Sequence, residues 1–198
     1  FTRAFTTAPV CSPSRSAWNT GMYQTAIGAH NHRSHRNDGY RLPEGVRLVS
    51  HRFRDAGYFT ANVTTAAPGF KASGKTDFNF AVEAPFQGTD WSQRADGQPF
   101  FAQVNFMEPH RGPAWPAARK QAGAVDPAKV LLPPYYPDHP LARDDYANYL
   151  DAVQLLDTKV GAVLKRLDDE GLTQNTIVFF FGDNGRCHVR DKQWLYEG

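Results

Sequence analysis

The chain's 198 residues can bury one sizeable core, and 41% hydrophobic with 13% aromatic residues is typical of a globular domain rather than a disordered chain. The net charge of +2, with dispersed lysines and arginines, excludes an electrostatic footprint for general nucleic-acid binding. No apolar run is long enough to cross a bilayer, and no charged start followed by an apolar segment marks a secretory signal.

The first predicted helix begins near Cys11. Pro13 suits the first turn of a helix, where its missing N–H costs nothing, and Ser12 or Ser14 can cap the unpaired amides there. A helix N-terminus and the nearby guanidinium of Arg15 both favour anionic groups, so Cys11 is predicted to lie in positive potential. This pattern favours a prepared nucleophile. The alternative is a buried structural cysteine beside an ordinary helix cap.

Two predicted strands follow this helix. The mixed, aperiodic composition of residues 28–36 indicates a loop, and a helical face then ends at Gly57, ahead of a strand at 58–63. A second buried strand is predicted at 100–106, before a long Pro-rich excursion over about 111–140. The helical face is formed by Val46, Leu48, Val49, Phe53 and Ala56.

The clearest predicted element is a helix over about 143–170. Its apolar residues recur at three- and four-residue steps, and Gly171 can supply a left-handed stop. The apolar run 176–181 then predicts a central strand that leads directly into residues 182–185. Functional side chains are therefore expected beyond the carboxyl ends of strands, which is the usual ligand edge of an open α/β sheet.

The run Cys-x-Pro-Ser-Arg, with Thr-Gly six residues after the serine, extends from Cys11 to Gly21. It resembles the signature of the type I sulfatases, and the resemblance implies that Cys11 is oxidised to formylglycine. In that family one hydroxyl of the hydrated aldehyde attacks sulfur and the other expels sulfate. The resemblance is strongest to heparan N-sulfatase-like proteins and continues through 133–137, 142–143 and the long predicted helix.

A metal site is expected at Asp183 and Asn184. Asn184-Gly185 by itself is typical of a tight turn, but a carboxylate and an amide oxygen after a buried strand are also ligands that calcium prefers. The resemblance implies that these two residues bind Ca²⁺, which in turn contacts the formylglycine oxygen at Cys11.

The resemblance also implies a group of cations around the sulfate. Lys75 resembles the lysine of a Gly-Lys-x-His pattern, and Lys192 resembles a second sulfate-binding lysine after the Asp-Asn-Gly loop. Together with Arg15 they would offset the charge on the sulfuryl oxygens. Asp77 stands where the family pattern has histidine, so a proton-donor role is not expected at that position.

Histidines supply the remaining candidates. His110, in Glu-Pro-His-Arg at the end of the second strand, resembles the histidine of a family Asp-Pro-His-Arg and is expected to contact the sulfate or protonate the leaving group. His30, His32 and Arg33 follow the motif helix and are expected to help select an anionic sugar. Zinc binding by His30, His32 and His35 is less favoured, because no cysteine or carboxylate cluster accompanies them.

The resemblance implies an α/β alkaline-phosphatase-like sulfatase fold, with a mixed central sheet flanked by helices. Residues 1–198 would be part of a single catalytic domain that lacks its first strand and its C-terminal portion. The implied reaction is calcium-assisted hydrolysis of a sulfate ester or sulfamate on a sulfated saccharide, after maturation by a formylglycine-generating or sulfatase-maturating enzyme. A periplasmic or secreted location is expected, with no membrane span and no nucleic-acid partner.

Three alternatives accompany this interpretation. A phosphonate monoester or phosphodiester hydrolase uses the same formylglycine and a similar metal site. A catalytically inactive, glycan-binding homologue would keep the pocket without maturation. A truncated reading of the gene would not fold alone. A disulfide between Cys11 and Cys187 is a further possibility in an oxidising compartment, and it would exclude the formylglycine.

Overall fold

The computed structural model describes residues 5–33, 38–189 and 191–192, apart from the side chain of Ala122. The chain divides into two compact units. Unit 1 comprises Phe1–Thr65, Ser73–Asn105 and Phe179–Gly198, and unit 2 comprises Ala66–Ala72 and Phe106–Val178. The expectation that residues 1–198 belong to a single catalytic domain stays a prediction.

Along the described chain two helices come first, four strands follow, and two helices come last. The helices are α1 (Cys11–Thr20), α2 (Val49–Asp55), α3 (Ala114–Ala122) and α4 (Pro140–Asp169). The strands are β1 (Phe59–Val63), β2 (Thr65–Ala67), β3 (Phe70–Lys71) and β4 (Phe100–Val104). Short 3-10 turns lie at Trp91–Gln93, Pro127–Lys129 and Thr173–Asn175. None of the described helices is both long and apolar enough to cross a bilayer.

Strands β1 and β4 form a parallel pair in unit 1, with Phe59 opposite Phe100 and Val63 opposite Val104. The two strands predicted at 58–63 and 100–106 are thereby confirmed, while β2 and β3 form a separate two-stranded sheet. In a parallel pair both carboxyl ends lie at the same edge. Residues that follow β1 and β4 therefore begin at one edge of this sheet.

Aromatic side chains pack helix α2 against this sheet. Phe53 of α2 stacks on Phe101 of β4 with ring centroids 4.6 Å apart, and it meets Tyr58 edge to face with centroids 5.1 Å apart. Trp91 stacks on Phe100 with centroids 5.8 Å apart. Large rings that exclude water from both partners contribute most of the packing free energy in a small sheet.

The starts of both helices in unit 1 differ from the prediction. Helix α1 is preceded by the extended residue Val10 and has no side-chain cap, so the expected capping by Ser12 or Ser14 is wrong. Those hydroxyls bond to other segments instead. Helix α2 begins only at Val49, because Leu48 has an extended backbone with ψ of 146°, so the predicted helical face is shorter than expected.

Unit 2 is built on the long helix α4. The prediction over 143–170 is confirmed, and the helix ends before Gly171, whose φ of +68° is the left-handed conformation that stops a helix. No helix is predicted within the Pro-rich excursion, yet it contains helix α3. Trp115 and Ala118 of α3 pack against Ala152 and Leu155 of α4.

The strand predicted at 176–181 is wrong for this structure, since these residues adopt no regular secondary structure. Ile177 and Phe179 are 83% and 82% exposed. An apolar run becomes a central strand only when neighbouring strands pair with both its edges and other elements cover its faces. The described residues provide no such partners for this segment, and the predicted central sheet is represented in them by the β1–β4 pair.

Candidate active site

Cys11 is the first residue of α1 and is only 3% exposed. Two N–H donors reach its Sγ: the Lys192 ammonium at 3.1 Å and the side-chain amide of Asn184 at 3.5 Å. Cys11 and Cys187 both carry thiols, so the alternative of a disulfide between them is contradicted. The structure thus brings together three of the residues predicted for the site.

Asn184 connects Asp183 to this thiol, because its side-chain amide also donates to Asp183 Oδ1 at 2.9 Å. The Asp183 carbonyl oxygen accepts hydrogen bonds from the hydroxyls of Thr6, at 3.2 Å, and Ser14. Its carboxylate forms an ion pair with Arg15, with 3.4 Å between Nη1 and Oδ2. Asp183 is therefore held against α1 even though the strand predicted before it is not formed.

Arg15 is the organising cation of the site and is 5% exposed. Its Nε donates to the Thr76 carbonyl oxygen at 2.9 Å. Its Nη2 donates to the Lys75 carbonyl oxygen at 2.6 Å and to Asn105 Oδ1 at 2.7 Å. With the Asp183 contact, four of the five guanidinium N–H groups have acceptors. This geometry indicates a positioning role for Arg15. A direct contact from Arg15 to a substrate stays a prediction.

Two asparagines in this region were missed by the sequence interpretation. Asn105 directly follows β4, accepts from Arg15, and donates from Nδ2 to Asn62 Oδ1 at 3.2 Å. Asn62 of β1 in turn donates to the Gly74 carbonyl oxygen at 2.5 Å. The sequence does place a polar amide near the carboxyl end of each apolar strand, and residues that bind ligands are expected at that edge of a sheet.

Lys75 and Asp77 form an ion pair in the segment that follows β3. Lys75 Nζ lies 3.4 Å from Asp77 Oδ2, and the side chains are 20% and 3% exposed. Arg33 also donates to Asp77, from Nε at 3.0 Å and from Nη2 at 3.1 Å. Asp77, which stands where the family pattern has histidine, is therefore the anion that pairs with both Lys75 and Arg33.

His32 connects Arg33 to α1. Arg33 Nη1 donates to His32 Nε2 at 2.7 Å, and a guanidinium cannot accept, so Nδ1 carries the proton and donates to Ser12 Oγ at 2.9 Å. Burial, followed by the charge of Arg33, holds the pKa of His32 below its ordinary value, which agrees with this neutral form. His30 is exposed and takes no part in these bonds, and His35 lies outside the described residues.

The Lys192 ammonium is partly enclosed beside the thiol. Burial alone would lower the pKa of Lys192, but the hydrogen bond to Cys11 and the charges of Cys11, Cys187 and Asp183 outweigh it. The pKa of Lys192 therefore lies above its ordinary value, and this side chain is cationic at neutral pH. A fixed positive charge beside the end of the side chain at position 11 stabilises negative charge that develops there.

His110 belongs to unit 2, where it is exposed and its Nδ1 lies 3.0 Å from the Arg111 carbonyl oxygen. Arg111 itself forms an ion pair with Asp145 and lies over the ring of Trp115 at 5.0 Å. Glu108, the residue that replaces the family aspartate, is buried and paired with Lys159. The predicted role of His110 at the sulfate stays a prediction.

The oxygen donors of Asp183 and Asn184 are of the kind that calcium prefers. Calcium takes about six to eight oxygen ligands, however. Within residues 5–33, 38–189 and 191–192, no group of three or more His, Cys, Asp or Glu side chains could hold a metal ion. The donor chemistry therefore fits calcium, and these residues supply part of a ligand set.

Comparison with known proteins gives a consistent result. The sulfatase family model matches residues 86–197. The chain is 31% identical, over 98% of its length, to an ulvan-active sulfatase of Formosa agariphila, of which it covers 39%. It is 30% identical, over 93% of its length, to human N-sulphoglucosamine sulphohydrolase, of which it covers 43%. Human N-acetylgalactosamine-6-sulfatase is 24% identical over 96% of the chain, which covers 43% of it. The chain thus spans about two-fifths of the length of these relatives.

Proposed function

Because the chain belongs to the sulfatase family, whose model matches residues 86–197, we propose that the protein hydrolyses a sulfate ester or sulfamate on a sulfated carbohydrate. The names of its relatives support this substrate class, since they include an ulvan-active sulfatase and an N-sulphoglucosamine sulphohydrolase. The observation that carries the proposal is the convergence of Lys192 and Asn184 on the Sγ of Cys11, with Asp183 held beside them.

The proposed nucleophile is a formylglycine produced from Cys11 by a maturation enzyme. Hydrated formylglycine supplies an oxygen nucleophile for sulfur and a second hydroxyl for the release of sulfate. The chain's own residues prepare the position. Lys192 places a positive charge 3.1 Å from Sγ, and the N-terminus of α1 adds its dipole, so negative charge is stabilised there. The neighbouring Ser12 is bonded to His32, which fixes the backbone beside the reacting group.

The proposed metal ligands are Asp183, Asn184 and the side chain at position 11. Calcium bound there would withdraw electron density from the sulfate and reduce its negative charge. Arg15 contacts the Asp183 carboxylate and prevents it from rotating away, which is a positioning role. The carbonyl contacts of Thr6 and Ser14 hold the same residue from its backbone.

The remaining predicted residues are assigned to substrate binding. Lys75 and Lys192 are proposed to contact sulfate oxygens, and His110 is proposed to contact the sulfate or donate a proton to the leaving group. His30, His32 and Arg33 are proposed to contact the saccharide. Because the proposed substrate is a sulfated glycan, we also propose that the protein acts in the periplasm or outside the cell.

The test is sulfate release by the full-length protein, co-expressed with a formylglycine-generating enzyme, from a panel of sulfated saccharides that includes N-sulfated and O-sulfated sugars. We expect release from at least one substrate, its loss in Cys11→Ala, and its loss after removal of calcium by a chelator. Calcium should also raise the Tm of the wild-type protein but not that of Asp183→Asn. If the matured protein releases no sulfate but cleaves a phosphate diester or phosphonate ester, the proposal is wrong.

A further inference from the structure

Asp77 is a buried carboxylate that holds two cations at one place. It is 3% exposed, accepts both Nε–H and Nη2–H of Arg33, and lies 3.4 Å from the Lys75 ammonium. A buried charge is costly unless it is paired and hydrogen-bonded, so the carboxylate keeps both cations beside it. The two-point contact also fixes the plane of the Arg33 guanidinium, which a single contact would leave able to rotate.

The backbone of both partners is in an uncommon conformation. Arg33 has φ of +58° and Asp77 has φ of +52°. Left-handed φ values in residues other than glycine cost about 1 kcal/mol or more and persist where surrounding contacts fix them, often at ligand clamps. The Arg33 N–H donates to Ser12 Oγ at 3.0 Å, and the Thr76 carbonyl beside Asp77 accepts from Arg15. Both ends of the ion pair are thus anchored to helix α1.

Arg33 retains donors for a ligand. Three of its five guanidinium N–H groups are engaged, two by Asp77 and one by His32, and within the part of the chain that the structure describes the other two have no protein acceptor. The side chain is 45% exposed, so an anion can reach it from solvent. Among the described residues the Asp77 carboxylate faces two cations, Arg33 and Lys75, which leaves this group of three with a net positive charge.

Arg33 is linked to Cys11 through neighbouring residues of helix α1. Arg33 reaches α1 through Ser12, the residue after Cys11, whereas the Sγ of Cys11 is contacted by Lys192 and Asn184. An anionic group bound by Arg33 would therefore be distinct from the sulfate that reacts at position 11, although the two would be neighbours. A saccharide that carries two negative groups can supply both.

We propose that Asp77 is a positioning residue that holds Arg33 as the binding site for a second anionic group of the saccharide, either a carboxylate or a second sulfate. The inference rests on the proposed function for the identity of the substrate. It makes Arg33 a specificity residue, which selects polyanionic saccharides over those with a single sulfate. Asp77 also pairs with Lys75, which is proposed to contact the reacting sulfate, so the second anionic group on Arg33 would be bound beside that sulfate.

The test measures binding rather than turnover. Full-length protein is produced without a maturation enzyme, so that Cys11 stays a thiol, and dissociation constants are measured by calorimetry for three matched disaccharides. All three carry one sulfate on the first sugar. The second sugar is neutral, a uronic acid, or sulfated. We expect the wild type to bind one or both dianionic disaccharides about tenfold more tightly than the neutral one, as a charge-assisted two-point contact provides.

The variants separate positioning from folding. Arg33→Gln should abolish the preference for the dianionic disaccharides, and Arg33→Lys should retain part of it because the charge remains but the planar fork is lost. Asp77→Asn should reduce the preference, since asparagine tolerates positive φ and keeps hydrogen bonds but no longer holds the guanidinium by charge. Arg41→Gln, which removes a charge from an exposed ion pair with Glu83, should leave it unchanged.

The inference is overturned if the wild type shows no preference or binds none of the three ligands. It is also overturned if the preference survives in both Arg33→Gln and Asp77→Asn. A general loss of structure would weaken binding of all three disaccharides together and leave their ratio unchanged, which also counts against it. Failure of the proposed function is read separately, as absence of sulfate release by the matured wild-type protein.

Discussion

The Cys11 site and the helix pair of unit 2 are stabilised by different kinds of contact. Helices α3 and α4 pack mainly through apolar side chains, with Trp115 and Ala118 against Ala152 and Leu155, and they also share the ion pair of Arg119 with Asp151. The Cys11 site is assembled from polar contacts between segments distant in sequence, such as Arg15 with the carbonyl oxygens of Lys75 and Thr76. Apolar packing is tolerant of exchange, whereas a buried polar network fails when one partner is removed.

This difference predicts that substitutions in the two regions have different effects on stability and on activity. A substitution in the polar network should change both the free energy of unfolding and the chemistry at position 11. A substitution in the α3–α4 pair should change stability with little effect on chemistry. The following changes test that separation in the full-length, matured protein.

The largest effect is expected for Arg15→Lys. A lysine cannot reproduce the four separate contacts of this buried guanidinium, so acceptors on three segments lose their donors. We expect the free energy of unfolding in urea to fall by about 3 kcal/mol, and sulfate release to fall with it. Arg41→Lys, in an exposed ion pair with Glu83, should change stability by less than about 0.5 kcal/mol. A loss below about 1 kcal/mol for Arg15→Lys would contradict the organising role.

Lys192→Ala should act on chemistry more than on stability. Removing a positive charge 3.1 Å from the side chain at position 11 should lower kcat for sulfate release by about 100-fold, the usual effect of losing one preorganised donor. Lys192→Arg should recover part of that loss because the charge is kept. A kcat within threefold of wild type in Lys192→Ala would show that this ammonium does not face the reacting group.

Asp151→Asn is the matched change in unit 2. Asp151 is fully buried on α4 and accepts from Arg119 Nη1 at 2.9 Å and from the Val125 N–H at 2.7 Å. We expect the free energy of unfolding to fall by about 1–3 kcal/mol with kcat unchanged. Asp157→Asn, at an exposed position on the same helix, should have no measurable effect. A kcat that falls with Asp151→Asn would remove the distinction between the two regions.

The smallest effect is expected from the pH dependence of His32. Burial and then the charge of Arg33 lower the pKa of His32, with smaller effects from Asp77, Lys192 and Lys75. Below pH of about 6.5 the unfolded chain takes up this proton first, so the free energy of unfolding should decrease as pH falls through that value. His32→Gln should show a shallower decrease between pH 7 and 5 in urea titrations. An identical decrease in both proteins would contradict the lowered pKa.

The long helix was found where its local pattern predicts it, whereas the strand at 176–181, which depends on distant partners, was not. Helix α4 was predicted because its apolar residues recur along one face, a property carried by the helix itself. The run 176–181 has the composition of a strand, but a central strand also needs neighbours. Without them in the described chain, Ile177 and Phe179 remain exposed.

The candidate site was predicted only in part, again because some of its contacts join segments that are distant in sequence. The resemblance named Cys11, Asp183, Asn184 and Lys192 one by one, and the structure places them in contact. The pairing of Arg33 with Asp77 was not predicted, because no local pattern joins residues on two separate loops. Asp77 was recognised only as a departure from the family pattern, and its meaning required the position of its partner.

The most direct measurement is the mass of the peptide that contains Cys11, taken from full-length protein co-expressed with a maturation enzyme. We predict an aldehyde at position 11, detected as a peptide of lower mass than the thiol form that reacts with a hydrazide. An intact thiol under those conditions, in a protein that nevertheless releases sulfate, would contradict the central claim.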